Sequence, residues 1–228
     1  ILIASNTILK ELQSSVFITI VGVTYVPYAK TLSVFIMIPF VLLYSYLVDK
    51  LNNFDLLKTV LYFFGITGIV FSFFLGLDKI GLYNTNPDIT RLLGWLFYWY
   101  IDGVPPFIVS AFWAFTNSIH TTSEAKENYS FLVASSKVGG MVGAAYGYVM
   151  TTGYIAKNLS EIEKTQSLTL CAGVLLLFAA FIISKCQKNI LIIRSDINSN
   201  LGNEKNMKSK TKTGILEGLK LLIKKPYT

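Results

Sequence analysis

Six stretches of this chain read as membrane-spanning segments, and no other feature constrains the expected fold as tightly. A spanning helix needs about 20 mostly apolar residues, because each residue advances about 1.5 Å through about 30 Å of hydrocarbon. The stretches cover residues 1–22, 31–48, 57–76, 92–118, 130–153 and 167–185. Backbone polar groups find no water inside a bilayer, so each stretch must satisfy them internally as a helix. Composition agrees: 14% of the residues are charged, against roughly 25% in a soluble domain. The expected fold is an all-α membrane protein, a six-transmembrane-helix bundle over residues 1–185. The chain opens at Ile1 inside an apolar stretch and ends at Thr228 just past Pro226, from which a longer native protein is expected.

Positive charge orients the bundle. Ten of the 20 Lys and Arg residues lie between Lys185 and Thr228, against Asp196, Glu204 and Glu217. Lys and Arg resist translocation, so this tail is expected in the cytoplasm, and the Asn-, Ile- and Lys-rich composition, that of an AT-rich genome, suggests the inner membrane of a bacterium. The short loops do not add to this: Lys50, Lys58 and Lys126 fall inside, and Lys30, Lys79, Arg91, Lys157 and Lys164 outside. Residues 186–213 read as a basic cytoplasmic linker. In 214–225, Ile215, Leu216, Leu219, Leu222 and Ile223 fall at helical spacing opposite Lys220 and Lys224, the pattern of an amphipathic helix on the inner leaflet. A second bundle is expected to follow it.

Four ionisable residues fall inside the stretches: Lys10, Glu11, Asp102 and Lys137. Each costs about 2.5–3.5 kcal/mol at a helix centre on insertion scales, so all four are expected to face protein or a wet cavity. Asn6, Lys10, Gln13 and Ser14 recur at helical spacing and form a polar stripe on the first helix. The competing reading is a Lys10–Glu11 pair snorkelling to the headgroups. Asp102 precedes Gly103, Pro105 and Pro106, where a kink is expected to free backbone carbonyls. It is a candidate for substrate contact or coupling, or else a structural partner of Lys10 or Lys137. Ser135, Gly139, Gly143 and Gly147 form a small-residue face that admits a neighbouring helix, and Lys137 lies two residues from it.

The sequence carries no Walker loop, no H-E-x-x-H and no C-x-x-C. Cys171 and Cys186 lack metal-ligand spacing, and His120 is the sole histidine. Catalysis, a cofactor, a metal and a nucleic-acid partner are therefore not expected.

Phe112, Trp113, Phe115, Asn117, Ile119, Thr121, Glu124, Ala125, Lys126 and Tyr129 match, without a gap, the pattern F-W-x-F-x-N-x-I-x-T-x-x-E-A-K-x-x-Y. That pattern resembles the nucleotide (ATP/ADP) translocases of obligate intracellular bacteria and plastids. The run from Ile8 to Gln13 is similar to the family's I-L-R-D-T-K, and Pro27 through Lys30, followed by Pro39, to the start of its second helix. The resemblance implies a major-facilitator-like fold of two six-helix halves, this chain being the first, that exchanges nucleotides by alternating access. In such a fold the first and fourth helices are equivalent members of inverted repeats and line the central cavity. The sequence departs from the pattern at two cations. Gln13 stands where the family has its phosphate-holding cation, and Lys137 where it has an uncharged polar residue. Either a positive charge has moved to the fifth helix or the substrate differs.

Together these features predict a transporter of an anionic, nucleotide-like substrate in the lipid bilayer, partnered by its own second half. Lys10 and Lys137 would attract the substrate, Asp102 would balance a lysine in the empty state, and Gln13 and Asn117 would supply neutral hydrogen bonds. The alternatives are a proton-coupled carrier with Asp102 as the titrating group and a non-transporting membrane scaffold.

Overall fold

A computed structural model describes residues 1–120, 122–152 and 157–200, with side chains for all of them except 122–127 and 186–200. The described residues form six long helices: α1 (Leu2–Ile20), α2 (Val26–Lys50) after a 3-10 turn at Val23–Tyr25, α3 (Asn53–Leu75), α4 (Leu92–Ile119), α5 (Thr122–Thr151) and α6 (Glu161–Asn200). Four reach the length and apolar content of a membrane span: Val23–Lys50, Asn53–Leu75, Leu92–Ile119 and Glu161–Lys185. The other two, α1 and α5, carry Lys10, Glu11 and Lys137 and pack against each other.

Local chemistry accounts for the helix starts. Asn52 caps α3 by accepting the Asp55 backbone N–H at 2.9 Å. Ser160 and Glu163 form a reciprocal capping box before α6, with the Ser160 N–H donating to Glu163 Oε2 at 2.7 Å and the Glu163 N–H to Ser160 Oγ at 3.3 Å. Gly22, at φ 119°, takes the left-handed turn out of α1.

α1 packs on α4, α5 and α6, and α3 packs on α4 and α6. The buried face of α1 carries Ile8, Leu9, Leu12, Val16, Phe17 and Ile20 at helical spacing. Phe17 meets Trp95 and Tyr98 of α4 edge to face, with both centroid distances 5.1 Å. α2 is different. Only Ala29 and Ser33 are buried on it, while Val34, Phe35, Ile38 and Leu42 stand uncovered. So large an apolar face is stable only against lipid or another protein surface.

Three further features have local causes. α4 runs through Pro105 and Pro106 without a break, because neighbouring helices hold it on both sides. The prolines supply no N–H to the carbonyls of Ile101 and Asp102, which are left without their usual helix donor beside the ion pair. α6 does not give way to a linker at Lys185 but continues to Asn200, since neither Gly nor Pro interrupts the chain from Val174 to Leu201. The rest of the expected linker and the expected amphipathic helix at 214–225 lie outside the described residues. Finally, the glycine face of α5 is tight at one position. A Cβ on Gly143 would sit 2.6 Å from the Ala4 carbonyl oxygen of α1, whereas one on Gly147 meets nothing within 4 Å. A second close approach joins α3 to α6, where a Cβ on Gly173 would lie 2.9 Å from the Gly65 carbonyl oxygen.

The α3–α4 loop is built around one cation. The Arg91 guanidinium donates to the carbonyls of Ile20, Ile80, Gly81, Asn84 and Asn86. Five acceptors from the end of α1 and along the loop suit the planar fork of arginine and exceed what one ammonium can serve. Beside it, the Thr90 backbone N–H and then its hydroxyl donate to Asp88 Oδ1, and with Arg91 nearby they hold the Asp88 carboxyl below its ordinary range. A lowered folded-state value means this turn is stabilised above the ordinary carboxylate range and loses that stabilisation as pH falls through the lowered value.

Gly143→Ala is expected to lower stability in detergent by about 1–3 kcal/mol through overpacking, and Gly147→Ala to leave it within about 0.5 kcal/mol. Thermal unfolding distinguishes the pair, and equal effects would contradict the close approach at Ala4. Arg91→Lys is expected to speed amide hydrogen exchange across residues 80–90; unchanged protection would show that the loop does not depend on the guanidinium.

Candidate functional site

Lys10 on α1 and Asp102 on α4 form an ion pair at 2.9 Å. Gln13, one turn along α1, completes a triangle: Lys10 Nζ donates to Gln13 Oε1 at 3.0 Å, and Gln13 Nε2 donates to Asp102 Oδ1 at 2.8 Å. Gln13 Nε2 also reaches the Tyr98 carbonyl at 3.0 Å, one turn below Asp102 on α4. Ser33 of α2 donates to the other carboxylate oxygen at 2.7 Å. One carboxylate on α4 thus accepts from two other helices, α1 and α2.

The i, i+3 spacing of Lys10 and Gln13 points both at α4. The apolar residues around them are the ones that lock α1 onto α4, so the polar residues lie at a seam that the core holds closed. The seam is not sealed. Gln13 is buried, but the Lys10 side chain keeps 39% of its exposure and Asp102 keeps 22%. Lys10, Glu11 and Ser14 share the side of α1 that the described residues leave uncovered. An ammonium held by an anion, with an open side, can exchange that anion for another.

Lys10, Gln13 and Asp102 therefore meet, and the other two candidates do not join them. Asn117 lies 15 residues beyond Asp102 on the same helix, roughly 22 Å along its axis. It accepts a hydrogen bond from the Tyr129 hydroxyl of α5. Trp113 also meets the Tyr129 ring, at 5.1 Å between centroids, so these residues tie the α4–α5 corner. Lys137 is exposed on α5 and makes no ion pair or hydrogen bond among the described residues. Gly139, two residues on, faces Ile1, which puts Lys137 level with the start of α1 and roughly 15 Å below Lys10. It does not share the Asp102 carboxylate. His120 closes α4, its Nδ1 3.0 Å from the Thr116 carbonyl. Among the described residues no group of His, Cys, Asp and Glu has the arrangement of a metal site.

Sequence reasoning missed Ser33. A hydroxyl on an apolar helix can bond its own backbone and costs little in a bilayer, so it carried no signal until the fold placed it opposite Asp102.

Lys10→Met and Asp102→Asn are each expected to cost about 1–3 kcal/mol, less than for a fully buried pair because Lys10 is partly exposed. The double variant is expected to cost clearly less than their sum, with a coupling of about 1–2 kcal/mol in a double-mutant cycle. Additive losses would contradict a direct interaction.

A family model described as TLC ATP/ADP transporter matches residues 95–228, which include α4, α5 and α6. No curated protein and no solved structure matches the chain. The matched region holds Asp102 and the stretch from Phe112 to Tyr129, the same stretch whose residues tie α4 to α5. The family is one of transporters and not of enzymes, in keeping with six long helices and an ion pair set at a helix seam, and the chain belongs to the TLC ATP/ADP transporter family.

Proposed function

We propose that this protein exchanges nucleotides across its membrane by alternating access, with Lys10 as the cation that meets substrate phosphate. The observation that carries the assignment of Lys10 is its pairing with Asp102 at 2.9 Å across two helices, with one side of the ammonium open. In the empty carrier Asp102 neutralises Lys10 and holds α1 to α4. An incoming phosphate competes for the ammonium. It satisfies Lys10 as a point charge and frees the carboxylate, which still has Gln13 and Ser33 as donors. Binding thus loosens the α1–α4 seam at the moment the substrate takes its place. An exchanger needs that coupling, because an empty carrier that reorients freely leaks its gradient.

The uncovered side of α1 with Lys10, Glu11 and Ser14 would face a second bundle across a central cavity, with residues 186–213 leading to it. The positive tail sets its cytoplasmic side, in the inner membrane of a bacterium. Family membership favours neither the proton-coupled carrier nor the scaffold.

The test is exchange of labelled ATP and ADP by the full chain in proteoliposomes. Lys10→Gln is expected to lower kcat/KM for ATP by about tenfold to a hundredfold, the loss of one charge-assisted hydrogen bond, and Lys10→Arg to retain most of it. Exchange unaffected by Lys10→Gln would remove Lys10 from the substrate path, and no exchange by the wild-type chain would defeat the function.

A further inference from the structure

α1, α4 and α5 line a partly open cavity of about 370 Å³ one helical turn from the ion pair, within the range of small-molecule sites. Its walls are mainly apolar and include Pro105, Ile108, Phe112 and Trp113 of α4 and Ser136 of α5. Asn6 of α1 also lines it. The Asn6 side-chain oxygen is shielded from solvent and accepts no hydrogen bond among the described residues. A buried amide oxygen without a donor is costly, and turning the Asn6 amide brings it to the cavity that the same side chain lines.

The geometry points to a nucleobase subsite in this cavity, with Asn6 reading an adenine and Trp113 and Phe112 providing the aromatic wall. The inference rests on the nucleotide-exchange reading above and adds to it where the base lies. Asn6 and Lys10 are four residues apart on one helix, so roughly 6 Å separates the amide from the ammonium along the axis. A ribose spans such a gap, and the phosphates then fall at Lys10 while the base enters the apolar chamber. Adenine offers an exocyclic amine next to a ring nitrogen, and an Asn side chain matches that pair by accepting with Oδ1 and donating with Nδ2. The amine supplies the donor that Oδ1 lacks once the amide turns toward the base. The apolar wall suits a flat heterocycle, and aromatic side chains bind any base by its face. The site is thereby divided, with a charged end at Lys10 and Asp102 and a largely apolar end at Asn6 and Trp113, as a nucleotide is.

The experiment is ATP–ADP exchange by the full chain in proteoliposomes, with ATP, ADP and the base-free competitor tripolyphosphate as probes. Asn6→Leu and Trp113→Ala are expected to raise KM for ATP about tenfold each while leaving inhibition by tripolyphosphate unchanged. Trp113→Phe, which keeps an aromatic face, is expected to restore most of the affinity. A wild-type KM in both Asn6→Leu and Trp113→Ala would overturn the subsite. So would an equal loss of ATP and tripolyphosphate affinity, because that reports general damage to the carrier. Wild-type protein that exchanges ATP but whose affinity does not depend on the base contradicts the subsite alone. Wild-type protein that exchanges no nucleotide contradicts the function beneath it.

Discussion

The Asp102 carboxylate is the polar point at which three helices of this bundle meet. It accepts from Lys10 and Gln13 of α1 and from Ser33 of α2 while riding on α4. Hydrophobic burial cannot supply this role in a bilayer, where lipid tails are as apolar as leucine and helices gain little by hiding from them. Packing and hydrogen bonds must choose the partners. Aromatic edges between Phe17 and α4 and the glycine approaches at Gly143 and Gly173 do part of that work. The carboxylate adds a specific link to α2, a helix that otherwise buries very little.

The same arrangement makes the seam conditional. Apolar contacts between α1 and α4 do not depend on what else is present. An ion pair does, because either ion can be claimed by a competitor of the right charge. Lys10 is the partner with the open side, so an anion reaches it first. The two helices that fall short of a membrane span's apolar content, α1 and α5, lie together, and this is the expected place for a lining that meets water and a charged cargo.

Much of this was readable before any coordinates. The insertion cost of a charge in hydrocarbon flags Lys10 and Asp102 together with Glu11 and Lys137, and helical spacing adds Gln13. Helix existence follows from apolar length, but the ends do not: caps such as Asn52 and Ser160 move the starts of α3 and α6 by four to six residues, and α5 and α6 run on into polar sequence that apolar length does not mark. The misses also have physical causes. Insertion cost points to Lys137 and the pattern around Phe112 to Asn117, but neither signal carries height along the helix, and rise per residue separates both from Lys10. Ser33 gave no signal because a lone hydroxyl carries little penalty. Arg91 looked like an ordinary loop charge because its partners are backbone carbonyls, which no side-chain pattern reveals. The four-residue glycine repeat on α5 announced close packing without saying which glycine would bear it.

The central claim is that phosphate replaces Asp102 at the Lys10 ammonium. A structure of the full chain with bound nucleotide, at a resolution that places phosphate oxygens, tests it most directly. The account predicts a phosphate oxygen within hydrogen-bond reach of Lys10 Nζ and the Asp102 carboxylate withdrawn from it. A nucleotide bound elsewhere, with Lys10 and Asp102 still paired at 2.9 Å as they are here, would contradict it.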